Sequence, residues 1–175
     1  ALKRFLLHSN MHVREGAVET LGRIGAEAVG AAEDLARMLS DPSEEVRLAA
    51  IGALGAIKSG DVLALHALVG LLKNGSLEER KAAARSLGAI GRSSQGVEEA
   101  LLQALEDQDS EVRTAVADGL GGLPCRGSGT RSLVKAAGDA QSDVRSAATR
   151  ALVLRQEAAD GGRDLLSRLV HDPDP

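Results

Sequence analysis

Few side chains in this sequence could do chemistry. His8 and His12 stand four residues apart, the spacing at which one helix can offer two imidazoles to a metal ion. Ser9-Asn10 between them reads as a helix start, and no third ligand is near, so a structural or solvated role is favoured over a metal site. His66 and His171 are isolated, and Cys125 has no recurring His or Asp partner that would activate a thiol. Gly121-Gly122 follows a helical pattern rather than a strand, so it is not a phosphate loop. No catalytic residue, metal site or cofactor is expected, and the chain reads as non-enzymatic. What recurs is a column of arginines: Arg14, Arg47, Arg80, Arg113 and Arg145. Such a column could bind anions. It could instead pair internally with carboxylates near the next helix start, such as Asp41, Asp107 and Asp139. A residue repeated in every unit usually serves contact between neighbours, so the internal pairing is expected.

The elements that must position these residues repeat. The stretch Asp41-Pro42-Ser43-Glu44-Glu45-Val46-Arg47-Leu48-Ala49-Ala50-Ile51-Gly52-Ala53-Leu54-Gly55 recurs along the chain. Leu21-Gly22, Leu54-Gly55, Leu87-Gly88 and Leu120-Gly121 lie 33 residues apart, and Leu152-Val153 follows 32 later. Val13-Arg14, Val46-Arg47, Val112-Arg113 and Val144-Arg145 keep the same register, while the third copy has Glu79-Arg80. A fixed period decides the architecture before any single residue does. It gives five units, 8–40, 41–73, 74–106, 107–138 and 139–171, after a half-repeat at 1–7 whose Leu2, Phe5 and Leu6 share one helix face. Residues 172–175 read as the opening of a further copy, so the chain reads as a stretch of a longer array.

Each unit holds two helices joined by a short turn, which makes an all-α solenoid forming a single domain. In the first helix, Ala17, Ala50, Ala83, Val116 and Ala148 make one small column. Thr20, Ala53, Ser86, Gly119 and Ala151, three residues on, make another on the same face. Their smallness suits close contact between helices. Asp41 is expected to cap the second unit, with Pro42 at the first helical position and Glu44 completing a capping box. Elsewhere the starts fall at Ser9 or Asn10, Asn74 or Ser76, Asp107 or Ser110, and Asp139 or Ser142. Second helices are expected over 61–73, 95–106 and 130–138, and unit four, with Pro124 and its glycines, is the least regular.

Composition excludes several classes. Hydrophobic residues make up 43% but aromatics only 1%, so the core is built from aliphatic side chains. A net charge of −4 and the near absence of aromatic platforms argue against nucleic acid. No apolar run reaches the ~18 residues of a membrane span. One cysteine permits no intrachain disulfide and fits a reducing, cytoplasmic setting.

The pattern D-P-S-x-x-V-R-x-x-A-x-x-A-L-G, as in Asp41 to Gly55, resembles the short HEAT repeat of phycobilisome lyase-type proteins over essentially the whole chain. The T-P-L-H-x-A signature of ankyrin repeats is missing, as are the Trp and Tyr of tetratricopeptide repeats. So are the His-Glu pairs of HEAT-like hydroxylases and the groove aromatics of HEAT-like glycosylases. The resemblance implies a right-handed superhelix of stacked helix pairs, with first helices on the convex side and second helices on the concave side. On that assignment two ridges face solvent. One is Arg37, Gly70, Gln103, Lys135 and Arg168, and the other is Glu33, His66, Glu99, Arg131 and Asp164. Charge on an exposed helix face needs no partner. The functional alternative is a groove for an acidic or helical segment of a protein partner, centred on units four and five. The expected function is a protein–protein interaction scaffold. The alternative is an accessory subunit of a phycobilin lyase-like or other enzyme complex. End-to-end self-association of an uncapped stack is also expected.

Overall fold

The computed structural model describes residues 2–91, 95–123 and 128–154. Among them there is no strand. The first unit holds α1 (Met11–Ile24) and α2 (Ala32–Met38), and the second holds α3 (Glu44–Ile57) and α4 (Val62–Asn74). The third holds α5 (Leu77–Ile90) and α6 (Gln95–Ala104), and the fourth α7 (Ser110–Gly121) and α8 (Ser128–Ala136). The fifth contributes α9 (Ser142–Leu154), and its second helix lies outside the described residues.

The repeat-constant residues explain the stack. Leu21, Leu54, Leu87, Leu120 and Leu152 are all buried, as are Val46, Val112 and Val144. Each such leucine contributes about 1.5–3 kcal/mol by leaving water. Each first helix packs on the first helix of the next unit: α1 on α3, α3 on α5, α5 on α7 and α7 on α9. The glycine of each Leu-Gly pair sits at that contact. A Cβ on Gly22 would lie 3.1 Å from Ala53, and one on Gly55 would lie 2.8 Å from the Ser86 hydroxyl. One on Gly121 would lie 3.2 Å from Ala151. The partners are the second small column, so small residues on both sides bring the backbones together. The Ser86 hydroxyl is buried and donates to the Ile51 carbonyl at 2.8 Å, so its polarity is satisfied across the joint.

Three local expectations are corrected. Asp41 does not cap α3. Its carboxylate is taken by Arg14 and by the Ser43 N–H, so α3 begins at Glu44 and Ser43 caps it by accepting from the Val46 N–H. The capping box lies one unit later, where Ser76 and Glu79 satisfy each other's backbone N–H. In unit four the cap is Asp109, neither Asp107 nor Ser110. The N-terminal segment Leu2–Leu7 is a 3-10 helix, and a second one, Gly25–Ala31, precedes α2. That second stretch lacks a capping side chain and holds two glycines, both weak helix formers. Pro124 lies outside the described residues, and α7 has already ended at Gly121.

Candidate protein-binding face

The arginine column forms a ladder between units. Arg14 donates to both carboxylate oxygens of Asp41 at 2.7 Å, and its Nη1 donates to the His8 and Ser9 carbonyls. Arg80 meets Asp107 at 3.0 and 3.3 Å, and Arg113 meets Asp139 at 2.9 and 3.0 Å. Arg47 meets Glu79 instead, at 2.6 Å. Arg145 donates to the Asp139 and Ala140 carbonyls, and its counterpart Asp172 lies outside the described residues. Arginine suits these joints because its planar fork binds a carboxylate with two parallel hydrogen bonds and a nearby carbonyl with a third. The Arg14 bonds hold the Asp41 carboxyl below the ordinary range, and the Arg113 bonds do the same for Asp139. Burial pushes Glu79 the other way, but Arg47 and the Ser76 N–H prevail, and its net shift is downward. Four of the five guanidiniums, those of Arg14, Arg47, Arg80 and Arg113, are thus engaged between units and hold the stack.

The two ridges on the second helices are solvent-exposed at Glu33, Arg37, His66, Gly70, Glu99, Gln103, Arg131 and Lys135. Asp164 and Arg168 lie outside the described residues. Much of their charge is neutralised locally. Arg37 pairs with Glu33 at 2.6 Å and Asp34 at 3.3 Å, and Lys135 pairs with Glu106. Pairs this exposed are worth little and are easily exchanged.

The assignment of the concave side is corrected by the packing. First helices contact one another far more extensively than second helices do. Their glycine joints bring backbones close, whereas the second helices present Leu65, Leu68 and Leu72, or Leu101 and Leu105, to the core. In a curved two-layer stack the more closely spaced layer lies on the inside of the bend. The inner layer is therefore α1, α3, α5, α7 and α9, and the ridges of the second helices lie on the outer layer.

On the inner layer, the position five residues after each ladder arginine changes charge from unit to unit and stays exposed. It is Glu19, Gly52, Arg85, Asp118 and Arg150. Arg150 reaches back to Asp118 at 2.9 Å. The signal for this column in the sequence is its change of charge in register with the constant Leu-Gly and Arg columns. A reading that assigns the whole first helix to stacking hides it. At the start of the helices, Lys81 bridges Glu78 and Glu111 at 2.9 and 2.6 Å. Between α1 and α3 runs a shallow groove lined by Glu19, Gly22, Arg23, Ala49, Gly52, Ala53 and Ala56.

Among the described residues no group of His, Cys, Asp and Glu could hold a metal ion. His8 accepts the Asn10 N–H through Nδ1, and His12 stands 3.5 Å from Glu15. Cys125 and His171 lie outside the described residues. Among the described residues no helix is long and apolar enough to cross a membrane.

Comparison with solved structures returns repeat proteins. The chain is similar to an engineered protein of the Northeast Structural Genomics Consortium, with a TM-score of 0.70 and 26% identity. That match covers 99% of this chain and 89% of the other. A designed armadillo repeat protein matches at a TM-score of 0.68 and 22% identity, over 99% of this chain and 92% of its own. Another, in complex with the peptide (KR)4, matches at 0.66 and 23%, over 88% of this chain and 80% of its own. At these identities the armadillo likenesses show the fold alone. No curated protein matches the chain. Family models for HEAT repeats match residues 67–152 and 98–175, and a HEAT repeat model matches 34–60. These matches take in well over half of a chain whose helix pairs stack through a repeated arginine ladder, and the chain belongs to the HEAT repeat family.

Proposed function

We propose that this chain is a non-enzymatic scaffold that holds a segment of a protein partner along its inner layer, in a reducing, cytoplasmic setting. One observation carries the reading. The repeat-constant residues are consumed in stacking, while Glu19, Gly52, Arg85, Asp118 and Arg150 vary on the inner face. Side chains released from structural duty on a periodic inner surface are those able to recognise a partner. A designed armadillo repeat protein of similar fold is in complex with the peptide (KR)4, which supports a protein-segment ligand.

The test is affinity capture with mass spectrometry, comparing three proteins. The wild type is set against an inner-face variant (Glu19→Lys, Arg85→Glu, Asp118→Lys) and an outer-face variant (Arg131→Glu, Lys135→Glu). Partners lost by the inner-face variant and kept by the outer-face one are expected. Partners lost only by the outer-face variant would overturn the assignment and restore the second helices as the binding face. A tetrapyrrole co-purifying with the wild type would point instead to an accessory role in bilin attachment.

A further inference from the structure

Two mid-helix glycines on the inner layer serve no purpose in the stack. Gly16 of α1 and Gly52 of α3 are exposed, and a Cβ added to either would meet nothing within 4 Å. Gly22, Gly55 and Gly88, by contrast, are held small by the next unit. A glycine inside a helix costs about 1 kcal/mol relative to alanine. At these two positions the fold gains nothing in exchange. Glycine is the residue that lets another chain come close to a backbone.

Gly52 lies in the floor of the α1–α3 groove beside Ala49, Ala53 and Ala56. The floor is therefore small-sided and apolar. The charge around it leans acidic, with Arg23 the one cation beside Glu19 in the lining. The exposed face of α3 carries Glu45 in its first turn, where its carboxylate accepts the Ser43 hydroxyl, while Glu44 turns toward α5 and accepts the Ser76 hydroxyl; the one cation of α3, Arg47, is committed to Glu79 and to the Asp41 and Pro42 carbonyls. On α1, Glu15 and Glu19 stand against Arg23 and a His12 that lies beside Glu15. Seven helical residues separate Glu45 from Gly52, a rise of about 10 Å.

Resting on the scaffold reading above, we propose that the α1–α3 groove receives a basic segment of the partner protein. One aliphatic side chain of that segment sits over Gly52, a Lys or Arg faces Glu19, and another, about 10 Å along the groove, faces Glu45. The apolar floor supplies contact area and the carboxylates select the sign of charge, so binding weakens as salt is added.

The test uses the full chain and two labelled peptides, Lys-Lys-Ala-Leu-Ala-Lys-Lys and its counterpart with every Lys replaced by Glu. Each is titrated by fluorescence anisotropy and by amide NMR, where the Gly52 resonance reports the groove. The basic peptide is expected to shift Gly16 and Gly52 and to bind at least tenfold tighter than the acidic one. Gly52→Leu, which fills open space and strengthens the helix, is expected to weaken it at least tenfold. Gly70→Leu, matched bulk on the outer layer, is expected to leave it unchanged. Glu19→Gln with Glu45→Gln is expected to flatten the salt dependence. Equal binding of both peptides, no binding of either, or binding indifferent to Gly52→Leu would overturn the proposal. If capture of partners still depends on Arg85 and Asp118, the scaffold reading survives that failure. If capture ignores the inner-face charges as well, both fall.

Discussion

Gly88 and Gly119 meet so closely that a Cβ on Gly88 would lie 2.4 Å from the Gly119 Cα, the tightest joint between first helices. No L side chain fits there without moving α5 away from α7. At Gly22 the corresponding distance is 3.1 Å, which a small shift can absorb. Gly88→Ala is therefore expected to lose about 1–3 kcal/mol through overpacking, more than the ~1 kcal/mol gained in helix propensity. Gly22→Ala is expected to be near neutral. Urea unfolding followed by circular dichroism checks the order.

A second expectation concerns the exchange of one carboxylate for another. Position 74 aligns with Asp41 and Asp107 but holds Asn74, and position 79 aligns with Val46 and Val112 but holds Glu79. The acid missing from the turn is supplied from a buried helix position, where it reaches Arg47 at 2.6 Å and closes the Ser76 capping box. Glu79→Val alone is expected to cost about 1–3 kcal/mol, because Arg47 loses its carboxylate. Combined with Asn74→Asp, which restores the pattern of the neighbouring units, it is expected to cost much less. A double-mutant cycle should show a coupling of about 1 kcal/mol or more.

Acid is expected to loosen the joints. Arg14 lowers the Asp41 carboxyl, Arg113 lowers Asp139, and Arg47 outweighs burial at Glu79. A carboxyl held below its unfolded value contributes stability above the ordinary range near pH 4, and loses it as pH falls through the native value. The urea midpoint should be flat from about pH 6 to 8 and fall below about pH 4. Arg113→Gln should reduce the size of that fall while lowering stability at neutral pH.

Lys58 occupies a left-handed conformation, with φ at 52°, where the neighbouring units have Gly25 at 68° and Gly91 at 67°. A left-handed residue with a Cβ costs roughly 1–2 kcal/mol. Lys58→Gly is expected to raise stability by about 0.5–1 kcal/mol, since glycine's larger unfolded-state entropy offsets part of the relief. A rise in Tm of a few degrees by calorimetry would show it.

The parts of the fold that were legible in the sequence are those the period repeats. The Leu-Gly column, the small column beside it, and the pairing of arginines with Asp41, Asp107 and Asp139 all follow from register. The helix start at Ser43 did not, because the Asp41 carboxylate is claimed by Arg14, 27 residues earlier in sequence, and local capping rules cannot see that competitor. Nor did Glu79, whose role depends on Asn74 falling short. The side of the bend on which each helix lies was not legible for a related reason. Which layer lies inside the bend depends on how closely helices approach, and that distance is set by pairs such as Gly88 and Gly119 in different units. The charge-changing column from Glu19 to Arg150 was legible in register.

The arginine ladder also bears on how such a chain can change in length. Excise residues 41–73 and Arg14 comes to face Glu79; excise 74–106 and Arg47 comes to face Asp107; excise 107–138 and Arg80 comes to face Asp139. In each case the new joint reproduces an arrangement that already exists elsewhere in the molecule. Whole modules can therefore be removed or duplicated without leaving a guanidinium facing nothing, whereas a cut out of phase with the period strands one at the seam.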